Sequence, residues 1–167
     1  TSVTQVVNGF SVGVDSWNLL ASASGTHTQE QLSVSTWPTL APVDTKLCVS
    51  VWIKRPASVP AEYCAVRLLN QGNVQTVWEA GFKWDGSNWV VDYYPTGSTA
   101  TVSAPVGSWY RISLGLVAQG NEPDALGVAL RVGNDTDDDD SEALEFSQVQ
   151  LEVDVLAPTS WTATTKH

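Results

Sequence analysis

Three groups of residues in this chain have the types and spacing to do chemistry. The densest is the acidic run Asn134-Asp135-Thr136-Asp137-Asp138-Asp139-Asp140-Ser141-Glu142. Hard cations such as Ca²⁺ take about six to eight oxygen ligands, and a carboxylate cluster supplies them. Asp135, Asp137 and Asp139 alternate as a loop ligand set would, so they are the candidate calcium ligands. The glycine of an EF-hand turn and its flanking helices are missing, and a solvated acidic hairpin loop is the simpler reading of the run. No other cofactor is expected.

The second group is aromatic. Trp78, Trp84, Trp89, Tyr93 and Tyr94 fall on what read as adjacent strands. Sugar C–H faces stack on aromatic rings while polar neighbours bond the hydroxyls. Trp84, Asp85, Asn88, Trp89 and Tyr94 would suit that chemistry. Within the strand, however, Trp78, Ala80, Phe82 and Trp84 share one face against Glu79, Gly81 and Lys83, which is the pattern of a core stripe. Trp84 then points inward, and Trp89 becomes the candidate for display. On that reading Trp89→Ala weakens sugar binding by about 1–3 kcal/mol without unfolding.

The third group is titratable and sparse. Glu79 and Asp92 have the residue types of a glycosidase pair, which needs two carboxylates about 5–10 Å apart. With eighteen acidic residues in the chain, such a pair arises easily by chance. His27 and His167 have no Cys or second His at metal-ligand spacing, which argues against zinc. There is no G-x-S-x-G elbow, no H-E-x-x-H, no phosphate loop and no nicotinamide fingerprint. The expectation is a binding protein and not an enzyme. Cys48 and Cys64 read as two small buried hydrophobes in strands, reduced rather than bridged.

The elements that must position these groups are strands. Helical periodicity is almost absent, and turn residues break the chain every 8–15 residues or so. The extended runs are Val3–Val7, Gly9–Val14, Leu32–Trp37, Leu47–Lys54, Tyr63–Leu69, Val74–Trp84, Trp89–Tyr94, Ala100–Ala104, Trp109–Ala118, Leu126–Val132, Phe146–Val153 and Ser160–Thr165. In the clearest, Leu47, Val49, Val51 and Ile53 face one way and Cys48, Ser50, Trp52 and Lys54 the other. Asp85-Gly86-Ser87-Asn88 marks a hairpin between two of the runs. About ten to twelve strands without crossover helices predict an all-β fold, an antiparallel two-sheet β-sandwich of jelly-roll topology. The 167 residues make one domain. Residues 1–9 are expected to form an N-terminal arm, and residues 10–167 the sandwich.

Net charge is −10, with only eight Lys and Arg. This excludes nucleic acid as the expected partner, because phosphate binding draws on basic residues. It also argues against anionic membrane surfaces, and no stretch is apolar and long enough to span a bilayer as a helix. The chain begins Thr1-Ser2 and contains no Met, as a mature product with its initiator trimmed would; a cleaved signal peptide would leave the same start.

Several short motifs carry a resemblance. Asn8-Gly9-Phe10 followed by Trp17, the strand Leu47–Lys54, and Gly107-Ser108-Trp109-Tyr110-Arg111-Ile112-Ser113 resemble the carbohydrate-binding-module-like jelly rolls. Those domains have an early Asn-x-x-Phe and Trp, an S-x-W-V-K strand and a later G-x-W-x-R-x-S strand. Val149-Gln150-Leu151-Glu152, then Ala157-Pro158-Thr159-Ser160-Trp161, resembles the Q-L-E … A-T-x-Y close of such domains in bacteriophage tail fibres, tail spikes and head-decorating proteins. The chain departs from the pattern in having Trp161 where Tyr is usual, and in its Asp-rich insert. The resemblance covers roughly residues 8–161 and implies that Trp17, Trp52 and Trp109 are core. It also implies a virion protein, foremost a capsid decoration (cement) protein on the capsid surface. Its partners would be the major capsid protein and copies of itself, as a homotrimer. Val3, Val6, Val7 and Phe10 would then be the partner-binding residues, through edge pairing of the arm. The alternative is a carbohydrate-binding module or tail receptor-binding domain that docks cell-surface polysaccharide or exopolysaccharide, on a phage tail or secreted.

Overall fold

A computed structural model describes residues 2–11, 13–21, 28–32, 44–69, 76–117, 127–133 and 142–160. Among these are eleven strands and no helix: β1 (Ser2–Ser11), β2 (Val14–Ala21), β3 (Thr28–Leu32), β4 (Lys46–Lys54), β5 (Tyr63–Leu69), β6 (Thr76–Trp84), β7 (Trp89–Tyr93), β8 (Thr99–Val102), β9 (Tyr110–Val117), β10 (Gly127–Val132) and β11 (Glu142–Val153). They form a six-stranded sheet, β1-β2-β11-β4-β9-β8, and a five-stranded sheet, β3-β10-β5-β6-β7. Every strand pair is antiparallel. The two sheets pack face to face as a β-sandwich.

The alternation that marks β4 in sequence is the alternation that builds the core. Leu47, Val49, Val51 and Ile53 are buried, opposite Leu116, Leu114, Ile112 and Tyr110 of β9. The other sheet contributes Cys64, Val66 and Leu68 from β5, Ala80 and Phe82 from β6, and Val128, Leu130 and Val132 from β10. A period of two with one face apolar leaves no other way to remove these side chains from water.

The opposite face of β4 and β9, with Cys48, Ser50 and Ser113, is also buried; for Cys48 this agrees with its reading as a buried residue. The chain after β11 covers this face. Gly115 makes this crossing possible: a Cβ there would lie 2.0 Å from the Leu156 carbonyl oxygen. Arg111, itself buried, ties the crossing down. Its guanidinium donates to Ser50 Oγ (2.9 and 3.2 Å), to Gln150 Oε1 (2.9 Å) and to the Thr159 carbonyl, and lies 3.6 Å from Glu152 Oε2. Glu152 in turn accepts from the Thr159 amide at 3.2 Å and from its hydroxyl. Burial lowers the Arg111 pKa, and Glu152 opposes that shift.

Residues 2–9 of the expected arm (1–9) belong to β1, hydrogen-bonded along β2 of the same chain from Ser2↔Leu20 to Val6↔Ser16. The extended Val-rich run finds an edge within its own sheet, so it does not stand apart. A bulge follows, at which Asn8 adopts φ 54°. The Asn8 side chain accepts from the Gly13 amide (2.7 Å), and its own amide donates to Asp15 (2.9 Å). This turn brings Phe10 onto the rings of Trp52 and Trp109, at 5.5 and 4.9 Å. Trp109 is buried and Trp52 half-buried, but Trp17 is 37 % exposed, contrary to its expected core placement. It stacks on Phe146 at 6.0 Å at the margin of the sandwich, where only the edge strand β1 lies beyond it.

Both cysteines are buried and unbridged. Cys48 lies under the chain crossing and Cys64 faces the core, so they sit in different sheets. Burial, reinforced by Glu152, pushes the Cys48 thiol up to about 11. Burial, then Glu142, raises Cys64 further. Because the thiolate is the reactive form, neither should react with a thiol reagent at pH 8 in the native state. Two equivalents should react after denaturation, and fast labelling of the native protein would contradict this packing.

Candidate functional site

The outer face of the five-stranded sheet carries a concave polar site. Register places Arg131 of β10 opposite Ala65 of β5, Ala65 opposite Gly81 of β6, and Gly81 opposite Tyr93 of β7. Two small residues therefore lie between a long cation and a phenol, and the row is hollow at its middle. The hollow is a pocket of about 290 Å³ lined by Tyr63, Ala65, Gly81, Asp92, Tyr93 and Arg131, among others. Gly81 cannot carry a side chain here: a Cβ would fall 2.1 Å from Tyr93 Cε1. The Tyr93 ring thus lies directly on the Gly81 backbone. A bulge between Gly81 and Phe82 in the β6–β7 pair sets that approach.

The neighbouring row fixes the polar groups. Arg67 and Glu79 are opposite each other and bonded as an ion pair, and the Tyr93 hydroxyl also donates to Glu79. Arg131 Nη1 lies 3.8 Å from the same carboxylate. Burial lowers the pKa of Arg67 and Arg131, the proximity of Arg131 lowers Arg67 further, and burial raises that of Tyr93. At the rim, Lys83 and Asp92 pair at 2.6 Å, which raises Lys83. Glu79 and Asp92, the carboxylates considered as a catalytic pair, are thus each engaged by a cation. The arrangement presents fixed donors and acceptors beside a Tyr93 ring that is 45 % exposed.

The aromatics singled out for display lie elsewhere. Trp89 is 2 % exposed, which removes it as a sugar platform. It is the partner of Trp84 across the β6–β7 hairpin, and the rings meet edge to face at 6.0 Å inside the sandwich end. Trp84 is half-buried, capped by the Arg55 guanidinium at 4.5 Å, and packs against Tyr110 at 6.2 Å. Asp85 and Asn88 serve the turn: Asp85 Oδ1 accepts from the Ser87 and Asn88 amides, and Asn88 Oδ1 accepts from the Tyr110 hydroxyl. Of that set, Asp85, Asn88 and Tyr94 are exposed, and Tyr94 is the one exposed aromatic. In β1, Val3 and Val7 are exposed, whereas Val6 and Phe10 are half-buried. Asp135, Asp137 and Asp139 lie outside the described residues, as do His27, His167 and Trp161. Among the described residues no cluster of three or more His, Cys, Asp or Glu could hold a metal, and no helix is long and apolar enough to cross a membrane.

Tyr63, Arg67, Gly81 and Arg131 escaped the sequence reading because the register of four strands assembles them. The alternation of Glu79, Gly81 and Lys83 was the legible part of the signal. Compared with known proteins, the chain matches no protein-family profile and no curated sequence.

Proposed function

We propose that this chain is a non-catalytic binding domain of a bacteriophage virion that docks a polysaccharide on the outer face of its five-stranded sheet. The observation that carries the binding reading is the hollow row Arg131–Ala65–Gly81–Tyr93 and its pocket of about 290 Å³. That volume is at the small end of ligand pockets, roughly 300–1,000 Å³, and suits about one ring of a longer chain. Arg131 supplies donors, Asp92 an acceptor, the Tyr63 phenol either, and the Tyr93 phenol, which donates to Glu79, a further acceptor, which matches hydroxyls that donate and accept. The exposed Tyr93 face is available to a sugar C–H face. The net charge of −10 disfavours nucleic acid in the same place.

The virion assignment rests on the resemblance at Val149–Glu152 and Ala157–Trp161, with the jelly-roll topology it implies. The head surface is the foremost location, as a decoration protein beside the major capsid protein, with the tail as the alternative. Immunogold labelling of phage particles tests location, and unlabelled particles would remove the virion assignment. Affinity electrophoresis against host polysaccharides tests the site. Tyr93→Ala is expected to weaken binding by about 1–2 kcal/mol, roughly five- to thirty-fold in Kd. Undiminished affinity in that variant would exclude this face.

A further inference from the structure

Four strands end the two sheets among the described residues, and β1 is unlike the others. β8 has four residues, β3 and β7 five each, and β3 and β7 carry Glu30 and Asp92. Short and charged edges resist pairing with other chains. β1 spans ten residues, Ser2–Ser11, with no charge and no proline, and its ladder is regular over Ser2–Val6 before the bulge at Asn8. One side of it pairs with β2, and no described strand pairs with the other.

Val3 and Val7 at this edge are exposed, while Gln5 between them donates to Asp15 Oδ2 at 2.6 Å. Register sets Val3 opposite Leu19 and Gln5 opposite Trp17, so by alternation Val3, Gln5 and Val7 share the inward face. Val3 is 42 % and Val7 73 % exposed, beside the half-exposed Trp17. That face reads Val-Gln-Val in either direction. An antiparallel copy centred on Gln5 would place Val3 of each strand against Val7 of the other and Gln5 against Gln5. A two-fold interface requires this self-complementarity. A foreign strand does not.

We propose that β1 is a self-association edge, at which two copies pair antiparallel about a two-fold axis through Gln5 and join their six-stranded sheets. The occupant is a second copy of this chain. The dimer buries Val3, Val7 and the open side of Trp17, and it forms whatever ligand the pocket takes. Two chains of charge −10 repel, so salt strengthens the association by screening.

Site-directed cross-linking tests the axis, and the buried native thiols keep the background low. Directly opposed residues have Cβ atoms about 4.5–5.5 Å apart, within disulfide reach. Gln5→Cys should therefore form a homodimeric disulfide readily on mild oxidation. Val3→Cys should not, because the two Val3 positions are about 13 Å apart along the strands in this register. In sedimentation velocity the unmodified protein should show a concentration-dependent dimer that strengthens with salt. Val7→Lys should weaken it about ten-fold or more, with circular dichroism unchanged. A protein that stays monomeric up to about 1 mM overturns the proposal and leaves the edge to a foreign strand such as one from the capsid. Equal cross-linking of Val3→Cys and Gln5→Cys overturns it as well.

Discussion

Trp89→Ala is expected to destabilise the fold by about 3–5 kcal/mol, the cost of truncating a buried Phe or Trp to Ala. The side chain is 2 % exposed and belongs to the continuous core. Its loss would also withdraw the ring against which Trp84 packs at 6.0 Å, and Trp84 in turn supports Tyr110 and Arg55. For a domain of this size, a loss of about 3–5 kcal/mol lowers Tm by roughly 6–20 °C. Trp89→Phe should cost much less, because the indole N–H has no hydrogen-bond acceptor among the described groups, so little polar interaction is lost with it. Urea unfolding followed by circular dichroism checks both. A Trp89→Ala protein with unchanged stability and lost sugar binding would restore Trp89 as a displayed residue.

Arg111→Ala is expected to cost a similar amount, about 3–5 kcal/mol, for a different reason. Removing one partner of a buried ion pair leaves the other uncompensated. Here Glu152, Ser50, Gln150 and the Thr159 carbonyl all lose the same donor group. The chain over β4 and β9 would lift, and Cys48, otherwise inert, should become accessible to thiol reagents. Arg111→Lys should rescue little, since an ammonium lacks the planar fork that reaches three acceptors at once. The two readouts together separate the latch from general core damage: Trp89→Ala should unfold the protein without preferential labelling of Cys48 beforehand. Unchanged stability and thiol protection in Arg111→Ala would show that the crossing is held by other contacts.

These two residues also show what was legible in the sequence. Strands with a fully apolar face were read nearly to the residue. Tyr63–Leu69 coincides with β5, and Leu47–Lys54 differs from β4 by one residue. Strand β2 was missed beyond Val14, because Asp15, Ser16 and Asn18 break its apolar alternation. Cys48 was read as buried, but what covers it and the rest of the outer face of β4 and β9 was not legible, since the cover is a chain crossing more than thirty residues away at Leu156 and Thr159. The motifs that carried the family resemblance prove to be parts of that closure. Asn8 turns Phe10 onto Trp52 and Trp109; Arg111 of the G-x-W-x-R-x-S strand grips Gln150 and Thr159; Glu152 holds Thr159. Their spacing reports how the sandwich is shut. The candidate binding face lies on the other sheet, where those motifs do not reach. Its row of Arg131, Ala65, Gly81 and Tyr93 comes from four separate strands, and only pairing register, which a single sequence leaves open, brings them together.

The most direct test of the binding face is a titration of isotopically labelled protein with a host-derived oligosaccharide, followed by amide chemical shifts. The expected result is a continuous set of perturbed amides on the outer face of the five-stranded sheet, centred on Tyr63, Ala65, Gly81, Tyr93 and Arg131, with the Arg111 crossing unperturbed. Shifts confined to β1, to the Asp85–Asn88 turn or to the outer face of the six-stranded sheet would contradict the account and move the site elsewhere.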